Sequence, residues 1–248
     1  MQGTLKGVPI HYQNVRSIRS ELDRGYTAWA RDAIHGEIIE STACFNRFSE
    51  IKLNLPSVEI AHFSDVNIIG RYLQPNTIIL SPNLLKHYLT LRGTFGPNDG
   101  GFGLTVSEII AHENLHRFRK LNNLDQKMST YSGKLLSWQV QEYSAVLGSL
   151  SYIVMYGYGN YLEEVKETAN VFNNLYPPST RTTIYAAAYD LSLSKCLRKG
   201  FDPEHELSII LRSDTINVLQ DIVSYMENAE IETWINKALR KEFGPLRK

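Results

Sequence analysis

The spacing of apolar positions changes period along the 248-residue chain. Between residues 14 and 50, Val15, Ile18 and Leu22, then Ile34 and Ile38, recur at intervals of three and four, which predicts helix in two pieces with a break near Gly36. Pro56 opens a shorter period. Val58, Ile60 and His62-Phe63 read as a strand, as do residues 67–73 and 76–80, with Gln74-Pro75-Asn76 as the turn between them. Ser81-Pro82 has a capping hydroxyl followed by a ring that suits the first helical position, so a helix is expected over 82–91. Residues 93–103 hold five glycines with Pro97, Asn98 and Asp99 and read as a loop that can border a cleft. Helical spacing returns at 105–119, yields to a polar loop from Asn122 to Gly133, and resumes at 134–156. Beyond lie further helical runs, broken at Gly157, Pro177-Pro178, Asp202-Pro203, Asp214 and Gly244.

That order predicts an α+β fold, mostly helical, with a small mixed or antiparallel sheet of about three strands before the helix at 105–119. Residues 1–55 are expected to be N-terminal helices packing on a core at 56–156, with 157–248 a C-terminal helical portion of the same domain. The strand Thr77–Leu80 is expected at an edge of the sheet.

Composition narrows the function. Hydrophobic residues are 43% and charged residues 21% of the chain, which excludes a disordered or low-complexity protein. Basic and acidic residues balance at 26 each, and Trp29, Trp138 and Trp234 are scattered, so neither a phosphate-neutralising surface nor an aromatic stacking platform is expected. No nucleic-acid partner is therefore inferred. The most apolar stretch, 146–156, is interrupted by Gly148, Ser149 and Ser151 and is too short to span a bilayer. No secretory signal is read at the N-terminus, and Cys44 and Cys196 form no disulfide framework, so they read as buried small hydrophobes in a cytoplasmic protein.

The chemistry concentrates in His112-Glu113-Asn114-Leu115-His116. Residues four apart on a helix leave the same face, about 40° apart, so two imidazoles can grip one ion. Glu113 is offset around the helix, where it can reach a water on that ion. Ala111, Leu115 and Phe118 give the opposite side something to bury; Asn114 among them has no evident reason from sequence. The plain alternative is a pair of helix histidines satisfied by ordinary hydrogen bonds. A catalytic zinc site takes three protein ligands and keeps one position for water. The candidates for the third are Asp125, Glu142, Glu163, Glu164 and Glu167. Asp125 reads as a solvated turn residue. Glu142 lies on a helix face with Trp138, Gln139, Ala145 and Val146, where a carboxylate needs a cation: the ion, or Arg117 or Arg119.

HExxH on one helix, with Gln141-Glu142-Tyr143-Ser144-Ala145 on the next, resembles the gluzincin class of zinc metallopeptidases, and residues 56–156 resemble the core of its small cytosolic members. The resemblance implies a zincin-like fold, Zn2+ bound by His112, His116 and Glu142, Glu113 as the catalytic carboxylate, and a protein or peptide substrate. Two features depart from relatives: Val146 stands where thermolysin-like enzymes place an Asp, and the third His usual in SprT-like enzymes is missing. Tyr131, Tyr185, Tyr189 and His205 are candidate donors to an oxyanion, and Glu108 a candidate partner for a ligand imidazole; core packing or a solvated surface explains each as well. The competing readings are a non-catalytic helical interaction protein and a metal-bound pseudoenzyme with a regulatory binding role.

Overall fold

A computed structural model of the chain describes residues 2–5, 8–12, 26–61, 63, 70–81, 101–125, 131–156 and 183–225. The order is β1 (Gln2–Leu5), β2 (Val8–Tyr12), α1 (Tyr26–Phe48), β3 (Ser57–Ile60), β4 (Gly70–Leu73), β5 (Thr77–Leu80), α2 (Gly101–Leu121), α3 (Tyr131–Tyr156), α4 (Thr183–Cys196), α5 (Pro203–Arg212) and α6 (Thr215–Tyr225). The fold is α+β and mostly helical, with a small mixed sheet ahead of the site helix, as the periodicity predicts.

The sheet contains the three expected strands and two more from residues 2–12, so the N-terminal portion is not wholly helical. Its order is β1-β2-β3-β5-β4; β2, β3 and β5 run parallel, and β1 and β4 pair antiparallel at the two sides. β5 is therefore an interior strand, and the edge expected there belongs to β4. Composition supplies the reason. Ile78, Ile79 and Leu80 are all buried, whereas β4 turns Arg71 and Leu73 to solvent. A strand apolar on both faces belongs inside a sheet.

α1 runs unbroken through Gly36, where an added Cβ would meet nothing within 4 Å, so the glycine marks no turn. α2 starts at Gly101 and α3 at Tyr131, each earlier than expected. Residues 67–69, the helix expected at 82–91 and the glycines at 93–100 lie outside the described residues. α5 begins at an Asp202 cap whose carboxylate accepts from the N–H groups of Glu204 and His205, with Pro203 in the first turn. The core lies where α3 packs between α2 and α4 with α1 and α5 alongside, around Phe45, Leu115, Phe118, Tyr143, Val146, Leu150 and Leu207. Cys44 and Cys196 are buried free thiols. No helix among the described residues is long and apolar enough to cross a membrane.

Candidate metal centre

The two faces of α2 divide as its sequence directs. Ala111, Leu115 and Phe118 are fully buried in the core, and the opposite face carries His112, Glu113 and His116. Asn114, unexplained by the pattern, joins the helices: its amide donates to Ser41 Oγ and Thr42 Oγ1 of α1, and its carbonyl accepts from Arg117. Arg117 reaches on to Asn76 Oδ1 at the β4–β5 turn and to the Asn54 carbonyl. Burial draws this guanidinium down to about 10. The same network thus locks α1 to the site helix and locates the hairpin that carries β4.

α3 supplies Glu142, and small residues let it come close. A Cβ on Gly148 would lie 2.5 Å from Leu115 Cδ1, so glycine is what the contact with α2 requires. Ser144 and Ser151 are also fully buried on this helix, and each hydroxyl returns its hydrogen bond to the carbonyl four residues back.

The result is a cluster in which one donor atom from each of His112, His116 and Glu142 lies within 4.8 Å of the others. The two Nε2 atoms are 3.1 Å apart, with the rings at 80°. One Glu142 oxygen, Oε2, is 3.4 Å from His112 Nε2, and the other, Oε1, is 3.6 Å from His116 Nε2. Ligands on a tetrahedral zinc with bonds of about 2.0–2.1 Å are separated by about 3.3–3.4 Å, close to the distance between the two ring nitrogens and to that from His112 Nε2 to Glu142 Oε2, so these atoms can approach one ion. Donor chemistry agrees, since facing ring nitrogens and a carboxylate call for a cation between them. Burial pulls the His116 imidazolium down, but the Glu142 carboxylate outweighs it and lifts the ring to about 9. Burial also works against the Glu142 anion, yet His116 and the hydrogen bonds of both rings hold it well below the usual carboxylate range.

Glu113 stands beside the cluster, 8% exposed. Its Oε2 accepts the main-chain N–H of Tyr72 in edge strand β4 at 2.6 Å. Gly70 makes room for it: a Cβ there would sit 3.1 Å from Glu113 Cγ, 3.2 Å from Oε1 and 2.9 Å from Ile109 Cγ2. Burial, the largest influence, raises the Glu113 pKa against the opposing pull of the two histidines. A carboxylate so placed is inclined to take up a proton.

Other residues singled out by sequence go elsewhere. Asp125 is no solvated turn residue; it forms a 2.9 Å ion pair with fully buried Arg119, which also donates to the carbonyls of Ile210 and Ser213. Both arginines are thus engaged away from Glu142. Glu108 is buried at 5% exposure rather than solvated. Tyr189 is packed in the core and His205 is exposed at the start of α5, so neither stands out as an oxyanion donor. The side chains of Tyr131 and Tyr185, and all of Glu163, Glu164 and Glu167, lie outside the described residues. Sequence reasoning missed Gly70 and the Tyr72 N–H, which only tertiary contact brings to Glu113. It also missed the Trp138 indole N–H, which donates to Glu142 Oε1 at 3.2 Å and was legible as a partner four residues away on one helix.

Fold and site together define an α+β protein with a His-His-Glu cluster able to coordinate a metal ion. No protein-family model, curated protein or solved structure matches the chain.

Proposed function

We propose that this chain is a zinc-dependent peptidase of gluzincin type, with His112, His116 and Glu142 holding the metal and Glu113 as general base. The observation that carries this reading is the convergence of the three donors beside a buried carboxylate. His112, His116 and Glu142 would hold zinc with net positive charge, and the bound ion would supply a Lewis acid to polarise a peptide carbonyl and acidify the attacking water. The Tyr72 N–H holds Glu113 through Oε2 and leaves Oε1 without that donor, so the carboxylate would be oriented to accept a proton from the attacking water. The same carboxylate would return the proton to the leaving amine as the carbon–nitrogen bond breaks. The substrate class is protein or peptide, met in a cytoplasmic setting.

Glu113→Gln tests this. The variant is expected to retain one zinc per chain by elemental analysis and to lose cleavage of an unstructured protein substrate. Equal cleavage by wild type and variant would remove the peptidase reading. A second reading draws on the Tyr72–Glu113 hydrogen bond, which also suits a carboxylate kept to fasten β4 in a metal-bound regulator without catalysis. Zinc in the wild type, without cleavage of any substrate offered, is the result that reading expects.

A further inference from the structure

We infer that Trp138 is a positioning residue for the metal ligand Glu142: its indole N–H engages one carboxylate oxygen and leaves the other to be offered to the ion. The inference rests on the metal-site reading above and concerns how this chain prepares the site.

Trp138 stands one turn before Glu142 on α3, and its Nε1–H donates to Glu142 Oε1 at 3.2 Å. The two oxygens of Glu142 are therefore unequal. Both face a ring nitrogen, Oε1 at 3.6 Å from His116 Nε2 and Oε2 at 3.4 Å from His112 Nε2, but Oε1 alone carries the indole hydrogen bond. A carboxylate with both oxygens free to turn can present either to a cation, and it loses that freedom on binding. A donor fixed on one oxygen removes the choice beforehand. Partners of this kind around metal ligands set ligand orientation and basicity.

Core packing leaves much of the tryptophan uncovered: it is 46% exposed, while Ser137 and Gln139 on either side of it in the chain are buried. Large aromatic rings are usually covered on average, so an indole left at the surface with its one polar atom aimed at a half-buried carboxylate suits a polar task. Because the ring is about half exposed and outside the core cluster, its replacement is expected to leave folding intact.

Two substitutions separate the N–H from the ring. Trp138→Phe keeps an aromatic ring and removes the donor; Trp138→Leu removes both. Zinc affinity is measured on the full chain by competition with a chromophoric chelator, and cobalt(II) substituted for zinc reports ligand geometry by its visible absorption. Both variants are expected to bind zinc about tenfold more weakly than wild type, to similar extents, with an altered cobalt spectrum and unchanged far-UV circular dichroism. Wild-type affinity and spectrum in Trp138→Phe overturn the inference, as does a loss confined to Trp138→Leu, which would assign the effect to ring packing. Failure of the wild type itself to take up either metal overturns the metal-site reading instead, so the two failures are told apart.

Discussion

The main-chain N–H of Tyr72 donates to Glu113 Oε2 at 2.6 Å, so the edge strand of the sheet and the carboxylate of the site helix are held as one unit. Glycine at position 70 keeps that approach open, because a Cβ there would press on Ile109 Cγ2 at 2.9 Å and on Glu113 Cγ at 3.1 Å.

Gly70→Val therefore pushes Glu113 off its position while leaving the metal donors in place. Misplacement by about 1 Å can cost about a hundredfold in rate, so peptide cleavage is expected to fall by about that factor. Zinc stoichiometry by elemental analysis should match wild type. Cleavage at the wild-type rate would mean that the strand does not govern the carboxylate.

Gly148 lies directly against the Leu115 side chain where α2 and α3 pack. Gly148→Val is expected to destabilise the fold by about 1–3 kcal/mol through overpacking. Thermal unfolding would fall by about 2–4 °C for each kcal/mol. Leu115→Ala in the same chain should recover part of the loss attributable to the clash, seen as a non-additive double-mutant cycle. Simple additivity would show that the helices adjust without cost.

Glu142 and Asp125 were alternatives for the third ligand, and they predict opposite phenotypes. Glu142→Ala is expected to lower zinc content with little change in the rest of the fold. Asp125→Ala keeps the metal but leaves fully buried Arg119 without its ion-pair partner, at a cost of about 3–5 kcal/mol. Elemental analysis and urea denaturation of both variants test the pair, and the reverse pattern would transfer the ligand role to Asp125.

Glu37 ties three helices together, accepting from Ser107 of α2 at 2.5 Å and from Tyr152 of α3 at 2.6 Å. Burial raises its pKa, despite those two hydrogen bonds. An acid whose folded pKa lies above its unfolded value binds its proton more tightly in the native state. Its contribution to stability therefore falls as pH rises from about the unfolded value toward the raised one, and is regained on acidification. Glu37→Gln removes that dependence, so its stability relative to wild type is expected to be higher at pH 8 than at pH 5. A pH-independent difference in urea midpoints would contradict this.

Removing metal provides a further check. A ligand that binds only the folded chain at a thousand times its Kd adds about 4 kcal/mol, so chelation of purified zinc-loaded protein should lower the unfolding temperature and added zinc restore it. Glu142→Ala is expected to show a much smaller shift. An equal shift in that variant would place the ion elsewhere.

The sequence by itself determined that residues 105–119 and 134–156 are helical, that three strands lie over 57–80 and that His112 and His116 share a face, because these depend on local periods: 3.6 residues for a helix face, two for a strand, four for a pair of imidazoles. The N-terminal strands escaped it, since residues 2–12 carry little alternation and are held by pairing along β3. So did the edge of the sheet, which depends on which strand is apolar on both faces once neighbours are in place. Only the tertiary structure decided that Glu142 meets the histidines while Arg117 and Arg119 are engaged elsewhere, and that β4 reaches Glu113 through a main-chain N–H. Those choices are made by close approach between elements distant in the chain, at Gly70 and Gly148, where the absence of a side chain carries no periodic signal.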